Sequence, residues 1–165
     1  MTRELGRKVL REVSRSFYLS LRFLPSGFRE TASLGYLLAR ISDTIADTEA
    51  VGVEERRGLL GEFCGLVSEG GEAEPFGKRL AEEFVPLQAH EGERVLMENS
   101  VQCLRWLRSL ESEPRRLICE LLGHITEGQR WDLERFEGEG VVRLAEGAEL
   151  ERYAYLVAGC VGEFW

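Results

Sequence analysis

The chain has 165 residues, 44% of them hydrophobic and 30% charged, with a formal net charge of −8. That is enough for one domain with a buried core, and it lacks the basic stripe that a general nucleic-acid binder needs. Cys64, Cys103, Cys119 and Cys160 are scattered with no CxxC pair, and His90 and His124 stand alone, so zinc and disulfide frameworks fit poorly and a reducing cytoplasm fits best.

Helical periodicity dominates and strand signals are nearly absent, so the expected fold class is all-α. The opening MTRELGRKVLREV has no apolar signal core, and no run of about 18 apolar residues occurs. Any membrane contact is therefore expected to be peripheral, or to run through a segment outside this chain. Residues 2–12 read as a short amphipathic helix, interrupted at Ser14-Arg15-Ser16-Phe17. Pro25 and Ser26 suit the cap and first turn of a long helix to about residue 48. A turn with Gly52 leads to a helix over 54–68. EGGEAEP at 69–75 is a loop, and 76–88 is helical with Pro86 at its weak end. A fifth helix spans 91–110, and Pro114 opens a sixth that runs to about 136. EGEGVVRLAEG is a loop, and a seventh helix begins at Ala148. It is apolar and stops at Phe164-Trp165 with no cap or basic last turn. The chain is therefore expected to be the front part of something longer.

The run TASLGYLLARISDTIADT, residues 31–48, carries three charges: Arg40, Asp43 and Asp47. At about 100° per residue, these three and Tyr36 lie within roughly 60° of one another, with Leu34, Leu38, Ile41 and Ile45 opposite. Two carboxylates four residues apart repel, costing a helix about 0.2–0.5 kcal/mol. In a helix otherwise nearly uncharged, which reads as buried, their natural occupant is a hard divalent cation, Mg²⁺ above all, carrying a phosphate ligand. Stacked on one face, the pair can share Mg²⁺ ions that bridge diphosphate oxygens. A solvated acidic face is the competing reading: the spacing alone favours it, and the scarcity of other charges on the helix brings the two readings level.

Three further blocks carry candidate chemistry. Ser14, Arg15 and Ser16 offer hydroxyls and a guanidinium for phosphate oxygens, although a capped local turn explains them as well. In GQRWDL, Asp132 is either a pocket acid or a surface residue. In YAYLVAGCVG, residues 153–162, the stripe Ala154, Ala158 and Gly162 allows a backbone or ligand to come close, and helix packing alone also accounts for it. Tyr153 there suits proton transfer or stabilisation of a carbocation by its ring face, or is a half-buried structural tyrosine.

Taken together, SRSFYLSLRFLP (14–25), YLLARISDTIAD (36–47), GQRWDL (128–133) and YAYLVAGCVG (153–162) resemble the squalene and phytoene synthase family, in the family's order and over nearly the whole chain. The bacterial squalene-synthase-like members are the most similar in flavour. The resemblance implies the N-terminal part of an isoprenoid-synthase helical bundle of about seven helices, a single incomplete domain over residues 1–165. It implies head-to-head joining of two C15 or C20 prenyl diphosphates through a cyclopropyl diphosphate intermediate, with Mg²⁺ assisting ionisation. NADPH would enter only if squalene is the product. By position, Asp43 and Asp47 would bind Mg²⁺. Ser14, Arg15, Ser16 and Arg40 would contact diphosphate, with Tyr36 lining the same pocket. Tyr153 would assist proton or carbocation chemistry, Val157, Ala158 and Gly159 would line the prenyl channel, and Asp132 would be a pocket acid.

The sequence departs from the family in lacking the second DxxxD that members carry on a later helix. Two carboxylates alone hold a Mg²⁺ cluster poorly, so these 165 residues by themselves are expected to be inactive or weak. Apolar faces left without the rest of a bundle are expected to promote self-association. A non-catalytic prenyl-diphosphate-binding or assembly subunit is the alternative from another functional class.

Overall fold

The computed structural model describes residues 9–14, 17–136 and 146–164, and no strand occurs among them. Residues 9–14 are helical and continue the expected first helix. Its residues 2–8, together with Arg15, Ser16, the loop 137–145 and Trp165, lie outside the described residues. The helices are α1 (Phe17–Phe23), α2 (Ser26–Asp47), α3 (Val53–Ser68), α4 (Glu74–Arg79), α5 (Glu91–Glu98), α6 (Ser100–Ser109), α7 (Ser112–Arg135), α8 (Gly147–Ala154) and α9 (Cys160–Phe164).

The long helix begins where its proline places it. Pro25 is extended, with φ −52° and ψ 142°, and its carbonyl accepts bonds from the backbone N–H of Phe28 and Arg29. The far end is held from outside: Arg56 Nη1 of α3 donates to the Ala46 carbonyl at 2.5 Å. A guanidinium there satisfies a terminal carbonyl and sits favourably at the negative end of the helix. The apolar face of α2 is core, since Leu34, Leu37, Leu38, Ile41 and Ile45 are fully buried. It lies against α3, α6 and α7.

Three local features depart from simple periodicity. The expected helix over 91–110 is divided at Asn99, whose Nδ2 donates to the Val95 carbonyl at 2.7 Å. An asparagine side chain that competes for backbone groups interrupts a helix in this way. The segment after α4 widens into a π turn at Leu80–Phe84, where the Val85 N–H reaches the Leu80 carbonyl, before Pro86 ends it. A second π turn, Tyr155–Gly159, joins α8 to α9. The short α1 has no counterpart in the periodicity, because seven residues fall below the window that reveals a helical repeat. It buries Leu21 and leaves Phe23 85% exposed.

The small-residue stripe of the last helix does not make the close approach expected of it. Ala154, Ala158 and Gly162 are exposed, and a Cβ added at Gly162 would meet nothing within 4 Å. The tight crossing is made from the other partner, where a Cβ on Gly128 of α7 would stand 3.1 Å from Leu156 Cβ. Gly128 thus sets how closely the π turn approaches α7, next to the polar residues of GQRWDL.

Candidate functional site

A cleft of about 690 Å³ opens between the C-terminal half of α2 and the C-terminal half of α7. Asp43 and Asp47 line it from α2, and Gln129 and Asp132 line it from α7. Arg56 and the turn at Val51–Val53 close one end, and Ile125, Leu133, Phe136 and Val157 supply apolar wall. Both helices place these residues by the i, i+3, i+4 rule, since Ile125, Gln129, Asp132, Leu133 and Phe136 share one stripe of α7. The volume lies in the range of small-molecule sites, about 300–1,000 Å³.

The polar contacts cross between helices. Gln129 Nε2 donates to Asp43 Oδ1 at 2.6 Å. Arg40 Nη1 stands 3.8 Å from Asp43 Oδ2, while its Nη2 bonds Glu93 of α5. Arg40 is therefore held between two acids, on the border of a second, smaller cleft of about 320 Å³ that Glu93, His90 and Gln88 also line. Asp132 Oδ1 and Gln129 Oε1 are buried with no hydrogen-bond partner among the described residues. Buried oxygens without donors are costly unless something else supplies the bond.

Electrostatics agree. Burial pushes the Asp43 carboxyl up, and the Asp47 charge adds to this, against the pull of Arg40 and the Gln129 hydrogen bond. Burial likewise raises Asp47, with Glu93 and Asp132 adding and Arg40 and Arg56 opposing. Burial also raises Tyr36. An acid whose folded pKa lies above its unfolded one gives stability present below the unfolded value and lost as pH rises through the folded one. In chelator, the stability gained on acidification is therefore expected to be smaller for Asp47→Asn than for the wild type between those two values. Thermal melts across the acidic range check this, and parallel pH profiles of the two proteins would contradict it.

The sequence-predicted residues fall into two groups. Asp43, Asp47, Asp132 and Val157 line the cleft, and Arg40 borders it. Tyr153 sits behind Asp132: its hydroxyl is raised by burial and then by a hydrogen bond to that carboxylate, and its ring meets Trp131 and Phe136 edge-on at 5.9 and 6.0 Å. Tyr36 donates to the Val13 carbonyl at 3.2 Å and so ties residues 9–14 to α2. Ser14 is buried and spends its hydroxyl on the Leu10 carbonyl. Ala158 and Gly159 are exposed and lie outside the lining of the cleft. Gln129, Arg56 and Glu93 are the site neighbours that sequence reasoning missed. For Gln129 a signal existed, because it stands three residues before Asp132 on one helical face.

A larger groove of about 980 Å³ lies between α7 and α8. Two of its three arginines are paired internally: Arg135 pairs with Glu149, Arg152 pairs with Glu127, and both guanidiniums lie 5.7–5.8 Å from the Trp131 ring centre. These two pairs anchor α8 to α7.

The model of the family described as squalene/phytoene synthase matches residues 10–165. The chain belongs to the squalene/phytoene synthase family. A curated relative, the bifunctional lycopene cyclase/phytoene synthase of Blakeslea trispora, is 26% identical over 155 residues, covering 94% of this chain and 23% of that protein. A solved structure of TcSQS in complex with the ligand E5700 matches with a TM-score of 0.67 at 22% identity, over 98% of this chain and 42% of that one. At that identity the likeness concerns the fold. The chain thus spans less than half the length of either protein, and in this family member the DTIAD carboxylates lie on the wall of the cleft described above. Among the described residues no three or more His, Cys, Asp or Glu side chains converge as a metal centre, and no helix is long and apolar enough to cross a membrane.

Proposed function

We propose that this chain forms the first substrate-binding wall of a prenyltransferase that joins two farnesyl diphosphates head to head, through presqualene diphosphate, to squalene. The observation that carries the proposal is the pairing of Asp43 and Asp47 on α2 with the unsatisfied oxygens of Gln129 and Asp132 on α7, across one cleft with an apolar flank. The donor set fits Mg²⁺, because every candidate ligand is an oxygen and hard cations take oxygen. Asp43 and Asp47 would hold it, and it would supply the charge neutralisation that lets a diphosphate leave. Arg40 adds a guanidinium for diphosphate oxygens once drawn from Glu93. Ile125, Leu133, Phe136 and Val157 shield the prenyl chain from water. Tyr153, hydrogen-bonded to Asp132 from behind the cleft wall, would by the resemblance handle a proton or face a carbocation. By the resemblance alone, Ser14, Arg15, Ser16 and Tyr36 would contact or flank the diphosphate and Ala158 and Gly159 would line the channel, and Ser14 would first have to release the Leu10 carbonyl. NADPH is needed only if squalene is the product.

A geranylgeranyl substrate, as for a phytoene-type synthase, is the second reading, and the phytoene synthase in the name of the curated relative favours it. The setting is cytoplasmic, with peripheral membrane contact where the hydrocarbon leaves. Exposed Leu19, Phe23 and Leu150 favour self-association of the isolated chain.

Titration calorimetry with farnesyl diphosphate, geranylgeranyl diphosphate and farnesol, each with and without Mg²⁺, tests the reading. The diphosphates are expected to bind only with Mg²⁺, farnesol not at all, and the 165 residues alone to release little or no product. Binding of neither diphosphate would overturn the assignment. Squalene made by the isolated chain would overturn its expected inactivity. Ranking of the two diphosphates separates the C15 and C20 readings.

A further inference from the structure

We propose that Gln129 is a positioning residue that fixes the Asp43 carboxylate for a divalent cation. The inference rests on the metal-site reading above and goes beyond it in assigning a role to a residue on the opposite helix. Gln129 Nε2 donates to Asp43 Oδ1 at 2.6 Å, across 86 residues of sequence. A carboxylate only accepts, so the amide must turn its NH₂ toward Asp43 and its oxygen away. That oxygen, Oε1, is left buried and unpartnered, as is Asp132 Oδ1 one turn further along the same helix face. An amide that serves only to join two helices has no need of an orphaned oxygen beside a second orphaned oxygen. Both become satisfied if water bound to a cation in the cleft donates to them.

The geometry also divides the labour on Asp43. Oδ1 is committed to Gln129, and Oδ2 stands 3.8 Å from Arg40 Nη1, beyond hydrogen-bonding distance. Oδ2 is therefore the oxygen left for the metal, and the Gln129 bond stops the carboxylate from rotating it away. Groups that orient a metal-binding side chain in this manner typically contribute 10–100-fold to metal affinity. Glu93 holds Arg40 from α5 in the same spirit, but it acts on the cation-repelling member of the site.

The test is Mn²⁺ affinity by electron paramagnetic resonance, read alongside thermal melting in chelator. Gln129→Met keeps the length and removes the donor, and Gln129→Asn keeps the donor but shortens its reach. Both are expected to weaken Mn²⁺ binding roughly tenfold or more. Thr126→Val is the structural control, because this buried hydroxyl bonds only carbonyls of its own helix. It is expected to lower the melting point without changing Mn²⁺ affinity. Wild-type affinity in both Gln129 variants, while Asp43→Asn abolishes binding, would overturn the positioning role and leave the site intact. An affinity loss in the Gln129 variants matched by Thr126→Val at an equal drop in melting point would reduce Gln129 to a helix contact and overturn the role too. No Mn²⁺ binding by the wild-type protein, or binding indifferent to Asp43→Asn, would remove the site reading and this inference with it.

Discussion

Asp43→Asn is expected to abolish Mg²⁺-dependent binding of prenyl diphosphate while leaving the metal-free protein folded and slightly more stable. The substitution keeps shape and keeps an oxygen for Gln129 to donate to, so the α2–α7 contact at 2.6 Å survives. What goes is the charge. A neutral amide is a poor ligand for a hard cation, and the loss is expected to reach 100-fold or more, on the order of the larger effects seen around metal ligands. The metal-free protein gains because the burial cost of the Asp43 charge is removed, with relief of the i, i+4 repulsion with Asp47 adding to it, and this outweighs the lost attraction to Arg40 and the weakened Gln129 bond. Asp47→Asn is expected to behave alike. Calorimetry with farnesyl diphosphate, with and without Mg²⁺, reads the binding, and a thermal melt in chelator reads the stability. Unchanged Mg²⁺-dependent affinity would return DTIAD to the status of a solvated acidic face.

The opposed effects on binding and stability explain why the α2 stripe was readable in the sequence. A pair of acids that costs stability stands out against a helix whose other faces are apolar, and Leu34, Leu38, Ile41 and Ile45 are buried as their spacing requires. The helix ends were legible where chemistry punctuates them, at Pro25 and at the turn before Val53. The division at Asn99 was hidden because Asn in a helical pattern is ordinary, and only its contact with the Val95 carbonyl reveals the break. The second wall of the site was hidden for a different reason. Arg40 meets Glu93 across 53 residues and Asp43 meets Gln129 across 86. No helical period connects such positions, and only the packing of α7 and α5 on α2 brings them together. The small-residue stripe shows the reverse case: a pattern clear in sequence whose residues are exposed in the described structure, while the closely packed glycine, Gly128, lay in another block.

Phe63→Ala is expected to be the most damaging single truncation considered for stability, and its consequences separate scaffold from site. Phe63 of α3 is fully buried and stacks on Phe76 of α4, with ring centres 5.8 Å apart and planes at 29°. Removing a buried phenyl ring costs about 3–5 kcal/mol, through lost transfer energy and the cavity left behind. That is a large part of the roughly 5–15 kcal/mol that holds a domain together, and for a protein of this size it lowers the melting point by roughly 6–20 °C. The same truncation at Phe23, which is 85% exposed, is expected to stay within about 0.5 kcal/mol. Urea denaturation of the two variants checks the contrast. The link to the site runs through α3, because Arg56 on the same helix bonds the Ala46 carbonyl beside Asp47. Well below its melting point, Phe63→Ala should keep that bond and bind Mn²⁺ with near-wild-type affinity. Near the midpoint, affinity should fall in step with the folded fraction. Loss of Mn²⁺ binding while the protein is still fully folded would instead make the α3–α4 core part of the metal site's rigidity, and Arg56 the residue through which it acts.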